Sequence, residues 1–116
     1  MLNIVNIVVL KEVEFFQPPI IIPGMIKLFK HKGLKKLFFK NDQKNINPQH
    51  VSKLLRILDR LDASKNPEDM NLPGYNLHEL SGNRKGTWAV WVSGNWRVTF
   101  CFDGVDAISV NYEDYH

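Results

Sequence analysis

The chain reads as one α+β domain, with two helices packed on one face of a curled, mainly antiparallel sheet. Three observations carry this reading. Two segments repeat apolar residues at helical spacing: Leu34, Leu37 and Phe38, then Val51, Leu54, Leu55, Leu58 and Leu61. From Tyr75 onward, apolar and polar residues alternate at the period of a strand between clusters of turn residues. A length of 116 residues suits one domain and not two.

The elements follow in the order β-α-α-β-β-β. Ile26 to Phe29 is a short alternating run and opens the domain as a strand. His31 to Lys40 is a helix whose other side carries Lys32, Lys35, Lys36 and Lys40. Asn47-Pro48 starts the second helix, about 48–62, with Asn as the cap and Pro in the first turn. Lys53, Arg56 and Arg60 form a basic stripe along it. Pro67 and Pro73-Gly74 bracket a loop.

Tyr75 to Leu80 reads as a strand, and Ser81 to Gly86 as a turn-rich loop. Thr87 to Val92 places Trp88, Val90 and Val92 on one face. After the turn at Ser93-Gly94-Asn95, Trp96, Val98, Phe100 and Phe102 share one face, and Arg97, Thr99 and Cys101 the other. Asp103-Gly104 is a hairpin signal. The last strand, Val105 to Tyr112, has Ile108, Val110 and Tyr112 of one parity.

Residues 1–24 stand apart. Their β-branched residues read as a strand through about Phe16, and Pro18, Pro19 and Pro23 then break any regular element. No Lys or Arg precedes the apolar run, as a signal peptide would require. The segment is expected to be an N-terminal extension, with Met25 as the functional start of a domain at 25–116.

Composition narrows the function classes. The single cysteine, Cys101, excludes an intrachain disulfide framework and a cysteine-rich metal site, and fits a reducing, cytoplasmic setting. No apolar run reaches the ~18 residues of a membrane span, so no membrane partner is expected. Nucleotide-loop and hydrolase-elbow motifs are absent. The four histidines match no zinc spacing, and neither metal nor cofactor is expected.

Charge is unevenly spread. Residues 1–24 carry net −1, residues 25–65 net +8 and residues 66–116 net −4. The basic part suits a polyanion such as nucleic acid, and equally a plain solvated face.

Certain side chains fit one reaction. RNA is cleaved without metal when its 2′-hydroxyl attacks the adjacent phosphate. A base must take that proton, an acid must protonate the leaving oxygen, and cations must hold the phosphorane. Histidine suits the first two tasks, and the arginine fork suits the third. His78, His116, Arg84, Lys85 and Arg97 can supply these parts if they converge on one sheet face. His31 and His50 read as structural.

At these residues the sequence resembles HigB toxins, the plasmid-maintenance killer branch of the RelE/ParE toxin superfamily. The resemblance covers residues 25–116. It is carried by Met25 to Lys35, Pro67 to Gly74, Leu77-His78-Glu79-Leu80, Gly82-Asn83-Arg84-Lys85-Gly86, Val92 to Phe100 and the terminal Tyr112-Glu113-Asp114-Tyr115-His116. It implies a RelE-like fold and a ribosome-dependent mRNA interferase that cuts messages in the A site of the 30S subunit. It also implies a HigA-type antitoxin that neutralises the toxin, with operator DNA bound only through the toxin–antitoxin complex. Activity is implied at His78, Asp114, Tyr115 and His116, with Arg97 on phosphate and Arg84 or Lys85 assisting. Lys36, Lys40 and Arg56 would then face ribosomal RNA, a stripe for which an acidic antitoxin segment could compete. Many relatives carry Lys where this chain has Ser81; if that Lys touches phosphate, this chain either uses Lys85 instead or binds less tightly. Two other outcomes stay open: a ParE-like gyrase poison, or an inactive antitoxin-binding regulatory subunit.

Overall fold

The computed structural model describes residues 24–115. The expected extension therefore lies outside the described residues, except for Gly24, and so does His116.

Two helices form as expected. α1 spans Lys32–Lys40. Its first turn is capped by His31, whose Nδ1 accepts the Leu34 amide at 3.1 Å. Asn41, in the left-handed conformation, ends it by donating its amide back to the Leu37 carbonyl. α2 spans Val51–Asp62 and is entered through a 3₁₀ turn at Pro48–His50. Asn47 caps that turn, accepting the Gln49 amide at 2.9 Å.

The sheet is a meander of β1 (His78–Glu79), β2 (Trp88–Ser93), β3 (Trp96–Asp103) and β4 (Asp106–Asp114), in that order and antiparallel throughout. Two expectations are corrected. The strand over Tyr75 to Leu80 shrinks to two residues, because Asn76 sits at φ 48° and breaks the extended backbone. The opening run contributes two isolated parallel bridges, Ile26 to Ala107 and Phe29 to Val110, rather than a full strand.

The third correction concerns faces. Thr99 pairs with Asn111 and Cys101 with Ile108, so β4 holds one residue more than β3 across this stretch. The extra residue is a β-bulge at Ser109, whose φ is 54°. Ala107 before the bulge and Val110 and Tyr112 after it all reach the core. Ile108 does not share their face, although simple alternation put it there.

Both helices cover one face of the sheet. Leu34 and Leu37 from α1, and Leu54, Ile57, Leu58 and Leu61 from α2, pack with Val90, Val98, Phe100 and Val110, all at most 1% exposed. His50 is buried among them. Its Nδ1 meets the Tyr112 hydroxyl at 2.5 Å, and its ring stands edge-on to Trp96 and Tyr112. His31 and His50 are thus a cap and a core residue, as read. Burial raises the Tyr112 phenol above its ordinary range, keeping it a neutral hydrogen-bonding group.

Removing that hydroxyl orphans a buried imidazole nitrogen. Tyr112→Phe is expected to lower stability by about 1–2 kcal/mol in urea denaturation, with the far-ultraviolet spectrum unchanged.

Candidate active site

The opposite face of the sheet carries the polar residues. In an antiparallel ladder, directly opposed residues point the same way. The register therefore sets His78, Ala89, Thr99 and Asn111 in one row, and Trp91, Arg97 and Glu113 in the next. Tyr115, two residues beyond Glu113, continues this face, and its amide donates to the Asn95 carbonyl at 2.7 Å.

The loop between β1 and β2 folds over this surface. A 3₁₀ turn at Gly82–Arg84 aims Arg84 back across the sheet. Its Nη1 and Nη2 donate to the two carboxylate oxygens of Glu113 at 3.0 and 2.8 Å, a bidentate pair. The Thr99 hydroxyl also donates to Glu113. Covered in this way, Ala89 and Thr99 are 1% exposed although they face away from the helices.

Electrostatics follow from this geometry. The Arg84 hydrogen bonds hold the Glu113 carboxyl below its ordinary range, assisted by Thr99 and Asn111 and opposed by partial burial. Arg84 is raised in turn, chiefly by its hydrogen bonds to Glu113, with smaller electrostatic contributions from Tyr115 and Cys101.

His78 is exposed on β1. Its Nδ1 lies 3.0 Å from the Asn76 carbonyl oxygen. A carbonyl only accepts, so Nδ1 carries the proton, and in the neutral ring the Nε2 lone pair is left for acid–base work. Arg97 is half-buried. Its Nη1 donates to the carbonyls of Gly94 at 2.9 Å and Trp96 at 3.0 Å. Nε and Nη2 meet no acceptor among the described residues. This fork is fixed by the turn and open to an anion, whereas that of Arg84 is engaged.

The other candidates are placed differently. Asp114 opposes Trp96 in the ladder, on the helix-side parity rather than that of Glu113. Lys85 is exposed at the end of the 3₁₀ turn. Lys36 and Lys40 on α1, and Arg56 on α2, are exposed in the helical layer across the sheet from His78 and Arg97. Arg56 Nη1 is bound to Ser52 Oγ at 2.8 Å. Among the described residues no cluster of His, Cys, Asp and Glu has the composition of a metal site.

One residue of this face, Glu113, and one contact, that of Thr99 with Glu113, have no signal in the sequence. Glu113 hides in the terminal motif beside Asp114, and only the bulge register sets it opposite Arg97. Thr99 was put on the right face, but nothing in the sequence paired it with Glu113.

An open arginine fork, an exposed histidine and the penultimate tyrosine thus share one half-covered sheet face of a small α+β scaffold. Residues 27–116 match the HigB-like toxin family, described as the RelE-like toxin of type II toxin-antitoxin system HigB. The chain is 45% identical over 92 residues to Endoribonuclease HigB of Proteus vulgaris, covering 79% of this chain and all of that protein. It is 31% identical over 91 residues to Toxin HigB-1 of Vibrio cholerae serotype O1, covering 76% of this chain and 94% of that one. The chain belongs to the HigB-like toxin family, and its two helices on a four-stranded antiparallel sheet are the RelE-like fold.

The Arg84–Glu113 pair sets a pH dependence. A carboxylate lowered by folding contributes stability above its unfolded value, near 4.3, and that contribution is lost as pH falls through the lower folded value. Glu113→Gln is expected to flatten the stability curve in this acid window and to cost about 1 kcal/mol at neutral pH, a small figure because Arg84 is 38% exposed and solvent-screened. Thermal melts of both proteins from pH 2 to 7 check this.

Proposed function

We propose that this toxin is an endoribonuclease that cleaves messenger RNA in the A site of the 30S subunit, by attack of a 2′-hydroxyl on the adjacent phosphodiester. The observation that carries the reading is the arrangement of His78, Arg97 and Tyr115 on one sheet face, in a chain alike over its whole domain to a protein named an endoribonuclease.

The chemistry assigns itself to that face. A histidine, His78 or His116, takes the 2′-hydroxyl proton while the oxygen bonds to phosphorus. The bond from phosphorus to the 5′-oxygen breaks, and the other histidine protonates that oxygen. A 2′,3′-cyclic phosphate and a 5′-hydroxyl result. The free Nε2 of His78 suits either role. Arg97 presents Nε and Nη2 to the equatorial oxygens of the phosphorane. Tyr115 stacks on a base or hydrogen-bonds the phosphate. Asp114 orients His116, two residues on. Arg84 is tied to Glu113, so its first task is to fix the end of β4, with Lys85 as the freer phosphate contact. The absence of lysine at Ser81 makes that contact more important.

Toxins of type II systems pair with an antitoxin. Here the partner is a HigA-type antitoxin, and operator DNA is reached only through their complex. The toxin acts in the cytoplasm, where ribosomes are. Among the described residues no helix is long and apolar enough to cross a membrane. Lys36, Lys40 and Arg56 stand across the sheet from the reacting face, where a basic helical layer can lie against ribosomal RNA while RNA occupies the other side.

Primer extension on a translating message after brief induction tests the reaction. Cuts should appear with the wild type and disappear with His78→Ala and with His116→Ala, a loss of at least about 100-fold for a missing general acid or base. Absence of wild-type cuts from soluble, antitoxin-binding protein would favour the gyrase poison or the regulatory subunit. Reversing Lys36, Lys40 and Arg56 to Glu is expected to abolish co-sedimentation with ribosomes at physiological salt while leaving the melting temperature within a few degrees.

A further inference from the structure

Beside the residues assigned above lies a hollow of about 320 Å³ on the same sheet face. It falls at the lower end of the range for pockets that hold small ligands. Lys30 borders it near Val110, whose carbonyl accepts the Lys30 amide at 2.8 Å. Arg84 and Glu113 border it toward the strand end. Thr99, Ser109 and Asn111 lie along it.

The charges in this hollow do not cancel. It holds Lys30, Arg84 and Glu113, and the last two satisfy each other. Lys30 has no carboxylate partner among the described residues, so the lining carries one uncompensated positive charge. That matches one phosphodiester. The rest of the lining can read a base edge. Asn111 already gives one amide N–H to Glu113 and keeps its second N–H and its carbonyl, and Ser109 has a hydroxyl that donates or accepts. A bare inorganic anion would use only their donors, whereas a base edge uses donors and acceptors together.

The bulge helps build the hollow. Ser109 adopts φ 54°, a conformation rare for residues with side chains, and it is the added residue of β4 at this point. Such backbone outliers concentrate at binding and catalytic sites. The core explains the need for a bulge here. It does not require the extra residue to be polar.

We infer that this hollow is a second nucleotide subsite, holding the nucleotide next to the cleaved bond with its phosphodiester on Lys30 and its base edge on Asn111 and Ser109. The inference rests on the reading of the chain as an endoribonuclease and extends it from the broken bond to the path of the strand. Single-stranded RNA is commonly recognised in this way, with its bases splayed into polar niches and its backbone on cations.

Cys101, the single cysteine of the chain, lines the hollow and reports on it. Alkylation of Cys101 in the full chain by iodoacetamide is timed with and without a hexanucleotide of fully 2′-O-methylated RNA, which cannot be cleaved. At RNA tenfold above its Kd, alkylation should slow by about tenfold. The slowing should vanish in Lys30→Glu and persist in Lys30→Arg. In Lys30→Ala, the slope of log affinity against log salt should fall by about one. An unprotected wild type, or equal protection in Lys30→Glu, would overturn the subsite. Equal protection by inorganic phosphate alone would replace it with a simple anion site. The same preparation is assayed for cleavage of ribosome-bound message. Protection without cleavage would sink the endoribonuclease reading and leave the hollow as an RNA site with no cleaved bond beside it. Cleavage without protection would do the reverse.

Discussion

The bidentate pair between Arg84 and Glu113 joins parts of the chain that no local rule would bring together. Arg84 comes from the loop after the shortest strand, and Glu113 from the end of the last one. With this pair made, the loop lies over the sheet, Ala89 and Thr99 are covered, and the end of β4 is held beside the turn that carries Arg97. Without it Glu113 would stand as an unpaired carboxylate opposite Arg97. The pair therefore both fixes geometry and neutralises a negative charge on this face.

It also divides labour between two arginines of similar standing in the sequence. Arg84 spends both ends of its fork on protein. Arg97 spends one nitrogen on the backbone of its own turn and keeps the rest. A guanidinium immobilised by carbonyls loses little freedom when an anion arrives, so its hydrogen bonds are made at lower entropic cost.

Much of this was legible beforehand. The helices were readable because Leu34, Leu37 and Leu54 to Leu61 keep a helical period, and Asn47-Pro48 marks an entry that forms as expected. The split of β3 was readable because Arg97 and Thr99 alternate strictly with Val98 and Phe100. β4 was not, because alternation assumes an unbroken ladder. A single residue in the left-handed conformation at Ser109 exchanges the faces of everything before it relative to everything after. Ile108 leaves the core face for this reason, and Glu113 rather than Tyr112 comes to oppose Arg97. The short β1 failed differently. Asn76 is compatible with a strand by composition, and only its positive φ, which turns its carbonyl toward His78, ends the extended run.

β4 is paired on both edges. One neighbour is β3, joined to it by a tight hairpin. The other is the stretch from Met25 to Lys30, where the Met25 amide meets Asp106 across 81 residues of sequence. The strand synthesised last among the described elements thus ends the four-stranded sheet, hydrogen-bonded along its length to a local partner and bridged at Ala107 and Val110 to a distant one. Closing so long a loop costs entropy before any contact repays it. The polar face is consequently assembled by the slowest class of contact in the molecule. The polar face thus draws on the first and the last described segments at once, and neither half of the sequence carries it alone.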